Sequence, residues 1–431
     1  MYHDQRGSRR FSNSNNHRDI ILRSAAFDWK LSNSQTPPQV DFCSAFGVRF
    51  PARVLDDVLP YLGSKVAIAS LRHPEETRLL GLAFCDTTSS YKLVWFLALL
   101  SLLKRHGERA FRLDDVVREM AVVAWYPVCF YRLSLGRQDR LQDIVKEIQH
   151  GSGLQPSATP DEIRRFVESS DTTKQQLDDL KRYVPKRFLA PWFADELRGR
   201  RDTERNRLIV ALAKKSQSCA VASPYWLDVN CLTFNDSWRA FLVDNLAVVQ
   251  AFVQHHFTQF LQARNPSVPG IVNKLRVPLT RDLKAAKHFW HLVRDALVGS
   301  GHHERFHDIY ADAPLAESFS IDHFLPWSFV AHDQLWNLAP VAKATNSSKG
   351  DSLPDLNLYL PRLSKLHYCA LQAVKCGPKL LEDHINFFKK DVTGLLELSE
   401  LELLAGYKQV MEPQGQIAAN LGFQAGWRLQ R

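Results

Sequence analysis

Between Phe319 and Pro354 the chain gathers Asp322, His323, Asn337, Asn346 and Lys349, side chains that can do chemistry together. Asp322 is a hard oxygen ligand, Asn346 offers an amide carbonyl oxygen, and His323 is a base whose ordinary pKa lies near neutral pH. One carboxylate, one amide and several waters form the kind of shell in which Mg²⁺ is held, with phosphate oxygens replacing some waters. Such a set suits phosphodiester hydrolysis. Asn346 and Lys349 stand three residues apart, so a helix would present them on one face.

The flanking pattern supplies the elements. Ser318-Phe319-Ser320-Ile321 alternates polar and apolar, which predicts a short strand running into Asp322-His323. Neighbouring strand residues point to opposite faces, so that pair can serve one site only where the strand ends or bulges. Pro326 stops the strand, a loop spans Ser328 to Gln334, and Leu335 to Leu338 make a second apolar piece. Pro340 sits where a helix would begin, and Gly350 marks its end.

Asp-His, then Asn, then Asn-x-x-Lys resembles the HNH (ββα-metal) endonuclease motif. With Pro326, Ser328-Phe329 and Lys349-x-Asp351-x-x-Pro354, it is most similar to the HNH domain of CRISPR RNA-guided DNA nucleases. The resemblance implies His323 as general base, Asp322 and Asn346 as metal ligands, Asn337 as the residue orienting the His323 ring, and Lys349 as a phosphate contact. Asn346 stands where many relatives have His. No Cys lies between Cys231 and Cys369, which excludes the form carrying a structural zinc and leaves packing to hold the motif together. Trp327 and Trp336 are expected in the core, His302, His303 and His307 in solvent, and Asp333 as a cap or brace of the loop. No role is expected for His332.

The 431 residues are enough for two or three domains, and 45% hydrophobic with 23% charged residues is an ordinary globular composition. A net charge of +9 favours a polyanionic partner, nucleic acid before membrane. Seven scattered cysteines without a C-x-x-C pair predict reduced thiols and a cytoplasmic setting. The run Leu93 to Leu103 is shorter than the about 20 residues that span a bilayer, and predicts a buried helix.

The expected organisation is a flexible basic arm (1–35), a helical domain (36–150), a helical region with basic clusters (151–300), the HNH motif (301–360) and a C-terminal helical region (361–431). Helices are predicted over Val54–Leu62, Ser89–Arg105, Asp114–Tyr126, Gln138–Gln149, Asp161–Glu168, Thr172–Tyr183, Ser237–Arg264, Leu363–Val374, Lys379–Val392 and Leu395–Met411. Another is capped by Thr280 and runs to Val298. Gly151 to Pro160 is the best linker candidate. Two basic clusters could track phosphates: Arg198, Arg200, Arg201, Arg205 and Arg207, then Lys274, Arg276, Arg281, Lys284 and Lys287. Lys343 joins Lys349, Lys274, Arg276, Arg281 and Lys284 as a candidate nucleic-acid contact.

The expectation is therefore a mainly α protein with a small ββα insert near its C-terminus, hydrolysing phosphodiesters in DNA, or less favourably RNA, with Mg²⁺ or Mn²⁺. Restriction or anti-phage defence in bacteria is the implied setting, with a homodimer or a defence-system protein as partner. The alternative is a nucleic-acid-binding subunit of a larger assembly whose nuclease is gated or silent.

Overall fold

Val116, Val117, Met120 and Ala124 recur at helical spacing, and all four are buried along a helix running from Leu113 to Trp125. A computed structural model describes residues 74–85, 87–219, 222–277, 281–374 and 378–430. The expected basic arm, the Val54–Leu62 helix and the Thr280 cap lie outside the described residues.

The described chain is mainly α. Helices α1 (Pro74–Cys85) and α2 (Tyr91–His106) precede strand β1 (Ala110–Arg112) and α3 (Leu113–Trp125). They are followed by α4 (Arg140–Ser152), α5 (Pro160–Ser169), α6 (Asp171–Phe188), α7 (Asp202–Ser216), β2 (Tyr225–Leu227) and β3 (Cys231–Phe234). Next come α8 (Asp236–Asp244), α9 (Leu246–Arg264), α10 (Lys284–Gly299), β4 (His307–Asp308) and β5 (Ala313–Pro314). The ββα unit is β6 (Ser320–His323), one helical turn α11 (Trp327–Val330), β7 (Leu338–Val341) and α12 (Lys343–Lys349). The described chain closes with α13 (Leu356–Ala373), α14 (Pro378–Phe388), α15 (Val392–Leu396) and α16 (Glu400–Asn420).

Several boundaries differ from expectation. The helix predicted over Ser237–Arg264 breaks in two at Asn245, whose side-chain amide and backbone N–H both donate to Phe241 O and so compete with continued helix. Pro340 does not open a helix; it lies in β7, and the helix starts at Lys343. Pro361 lies inside α13 and Pro413 inside α16, where the buried Tyr359, Leu360, Leu363 and Leu366 of α13 and the buried Leu403, Tyr407 and Met411 of α16 offset the cost of about 3 kcal/mol for an interior proline. Pro127 ends α3 in a π turn over Tyr126–Phe130, closed by Tyr131 N–H donating to Tyr126 O.

The strands β1 to β3 escaped the sequence, being too short for a period to register. They form an antiparallel sheet in the order β1-β3-β2, with Phe111 opposite Leu232 and Leu227 opposite the same residue. Leu93 to Leu103 lies buried in α2 as predicted, apart from the half-buried Ser101, and among the described residues no helix is long and apolar enough to cross a membrane. A continuous buried cluster runs from Leu80 to Phe423. The stretch Gly151 to Pro160 is tied to it, Trp125 Nε1 donating to Pro156 O at 2.9 Å and Tyr126 Oη to Ala158 O at 2.7 Å.

Candidate active site

β6 and β7 pair antiparallel, Asp322 opposite Ala339 and His323 opposite Leu338. The strand ends at His323, which meets the condition for Asp322 and His323 to serve one site. Both line a cleft of about 450 Å³, together with Asn346, Arg132, Arg281 and Trp327. Four of the predicted residues, Asp322, His323, Asn346 and Arg281, thus converge.

Asp322 is almost fully buried and compensated. Lys349 Nζ lies 3.2 Å from Oδ1 and 3.1 Å from Oδ2, and Tyr310 Oη donates to Oδ2 at 2.7 Å. Burial and the neighbouring Asp322 charge raise the Tyr310 hydroxyl well above its usual value, so it remains the donor. Asn346 Nδ2 donates to Ile321 O at 3.3 Å, leaving its carbonyl oxygen without a hydrogen bond among the described residues. Asp308 sets the helix that carries Asn346: its Oδ2 accepts from Ala342 N–H, at the N-cap of α12, at 2.8 Å. Among the described residues no group of three or more His, Cys, Asp or Glu is arranged around a metal position. Two protein oxygens completed by water still suit Mg²⁺ or Mn²⁺, which keep much of their hydration shell.

His323 Nε2 bonds Asp333 Oδ1 at 2.8 Å. Burial pushes Asp333 up, but the His323 hydrogen bond and charge outweigh it and hold the carboxyl below its usual range. The expected brace of the loop is therefore the partner of the candidate base. Asn337 makes no hydrogen bond to the ring, contrary to expectation: its Oδ1 accepts from Leu325 N at 2.9 Å and its Nδ2 donates to Leu325 O at 3.0 Å. It staples the loop that follows His323. His332 is held neutral, since burial pushes it down to about 4.

The phosphate candidates divide. Arg276, Arg281, Lys284 and Lys343 are exposed. Lys274 is fully buried, its ammonium donating to Pro269 O and Phe329 O while burial pushes it down to about 7, so it braces α11 and offers nothing to a phosphate. Lys349 is likewise buried, held by Asp322 and by His323 O at 2.7 Å, and is a structural counter-ion where a phosphate contact was expected. A periodic or compositional signal marks a lysine as basic but cannot tell which face of the fold it meets.

Trp327 and Trp336 are in the core and His302 and His303 are exposed, as expected, while His307 is half-buried. Tyr310, Asp308 and Arg132 went unnoticed in the sequence, since they precede Asp322 by 12 residues or more and no spacing rule links them to it. No curated protein and no solved structure matches the chain. Residues 307–355, which hold Asp308, Tyr310, Asp322, His323, Asn337 and Asn346, match the family model for HNH endonuclease, and this supports the HNH family for the segment that builds the site.

Proposed function

We propose that this chain hydrolyses phosphodiester bonds in DNA with Mg²⁺ or Mn²⁺ held by Asp322 and Asn346. The observation that carries the proposal is the convergence of Asp322, His323 and Asn346 on one cleft, with His323 already oriented by a carboxylate. The bound cation would supply charge stabilisation to the phosphate and the leaving oxygen. Asp333 holds the proton on Nε2 and leaves Nδ1 as the base that takes a proton from the attacking water. Asp333 then steadies the imidazolium, and Lys349 and Tyr310 keep the Asp322 carboxylate in place. A role in restriction or anti-phage defence, with a second copy or a defence protein as partner, belongs to the same proposal and rests on family analogy alone.

A second reading is favoured by one observation: Asp322 and His323 are only 3% and 4% exposed. A substrate strand needs more room, so the nuclease could be gated until a partner or DNA opens the cleft. Plasmid cleavage with Mg²⁺, Mn²⁺ or EDTA separates the two. Metal-dependent cutting that falls on the order of 10²- to 10⁴-fold in folded His323→Ala supports the nuclease. A folded wild type that binds DNA but leaves the plasmid intact with either metal supports gating.

A further inference from the structure

The wall of the cleft opposite the ββα unit comes from the distant π turn after α3. Phe130 meets Trp327 with ring centroids 6.3 Å apart, and Tyr131 meets the same ring at 6.3 Å. The next residue, Arg132, has φ 57°, a left-handed backbone that a residue with a side chain rarely adopts. Its guanidinium stacks over Phe423 at 4.1 Å, and Nη1 donates to Gly422 O. Among the described residues Nε and Nη2 have no hydrogen-bond acceptor. On the other side Arg281 lies over the Trp327 ring at 5.6 Å. Asp351 also lines the cleft; its carboxylate accepts from Ser328 Oγ at 2.6 Å.

From this we infer that Arg132 is a phosphate-binding residue, supplied by the helical region to the cleft of Asp322, His323 and Asn346, and that its ligand is the sugar-phosphate backbone of the strand to be cut. This rests on the nuclease proposal for the same cleft. Strained backbone persists where the surroundings over-determine it, and such outliers cluster at functional sites. Here the strain delivers a side chain whose fork is pre-oriented by Phe423 and Gly422, with donors to spare for a bidentate contact to phosphate. A purely structural arginine at this turn would be expected to use those donors on the protein. The exposed Arg281 lines the same cleft beside Trp327, so two cations share it with Asp322 and His323.

The test uses the full chain and a fluorescently labelled oligonucleotide, single-stranded and as a duplex, with anisotropy read in EDTA over a range of salt. Glycine suits φ 57° better than arginine does. Arg132→Gly should therefore melt within a few degrees of wild type, while affinity falls about tenfold and the slope of log affinity against log salt shrinks by about one. Arg132→Lys should restore the slope without restoring full affinity, since an ammonium lacks the fork. Wild-type affinity and slope in Arg132→Gly overturn the inference, as does a wild type that binds neither oligonucleotide. If Arg132→Gly melts much lower and binds as wild type, the residue only ties down the C-terminal segment. Wild type that binds through Arg132 yet never cuts overturns only the ungated nuclease; cutting and binding unchanged in Arg132→Gly sink this inference alone.

Discussion

Asp333 reaches His323 because Ala331, at φ 56°, ends α11 in a left-handed turn and sends the chain back toward β6. In the proposed reaction that contact fixes the tautomer of the base. Asp333→Ala should lower the turnover rate by on the order of 10²-fold with little change in KM or melting temperature, a smaller loss than removing the base itself. An unchanged rate would mean that His323 needs no partner. The lysines make a separate test at the same scale. Lys274→Met should leave the salt dependence of DNA binding unchanged, because its ammonium is sealed against Phe329 O. Arg281→Ala should shorten the slope by about one, since its guanidinium is exposed at the cleft.

Between elements, the helical region is tied together at Glu119 of α3, which is 3% exposed. It takes hydrogen bonds from Arg164 of α5 at 2.8 Å and from Ser101 of α2 at 2.6 Å, with Arg105 of α2 at 3.3 Å. Burial pushes Glu119 up, but these donors and the arginine charges outweigh it and leave its pKa below the usual value. Arg164 and Arg105 keep 17% and 37% side-chain exposure, so Glu119→Ala loses charge-assisted hydrogen bonds worth about 1.5–3 kcal/mol and should lower the urea midpoint. The sign with pH follows from the lowered folded pKa. The stabilisation is complete above the unfolded value near 4.5 and disappears as pH falls through the folded one. Urea melts of wild type should therefore weaken on acidification, and those of Glu119→Ala should weaken less.

Across the whole molecule, the ββα unit is buttressed by helices α13 and α14 and by the C-terminal segment. Asp383 accepts from Leu335 N at 2.7 Å, His367 Nε2 bonds Leu338 O at 3.1 Å, and Trp336 stacks near Phe387 at 4.6 Å. Trp427 N donates to Leu353 O at 2.9 Å, Leu353 N to Gln424 O at 2.8 Å and Asp355 N to Trp427 O at 3.0 Å, and Tyr310 packs against Trp427 at 5.2 Å. A two-stranded sheet is marginal by itself. The excised fragment 301–360 should accordingly be unfolded by circular dichroism, with or without zinc. One such cleft among the described residues also predicts that plasmid accumulates first as the nicked form, with linear product only where two chains or two visits act together.

Residue types in one short window carried the chemistry: Asp322, His323 and Asn346 stand where strand, loop and helix punctuation bring a carboxylate, a base and an amide to one place, and local periodicity marked most of the helices, though not α1 or α7. That information is local, because it depends on chain spacing alone. What tertiary structure decided is which of those groups stay free. Lys349 and Lys274 look like phosphate contacts by composition, yet packing turned both inward to compensate Asp322 and the Phe329 carbonyl. Asn337 turned to the loop backbone, and Asp333 to the base. Arg132, Tyr310 and Asp308 arrive from outside the window because packing against the buried Trp327 and the half-buried Trp427 docks separate segments onto the motif, and contacts between segments far apart in the chain leave no period in the sequence.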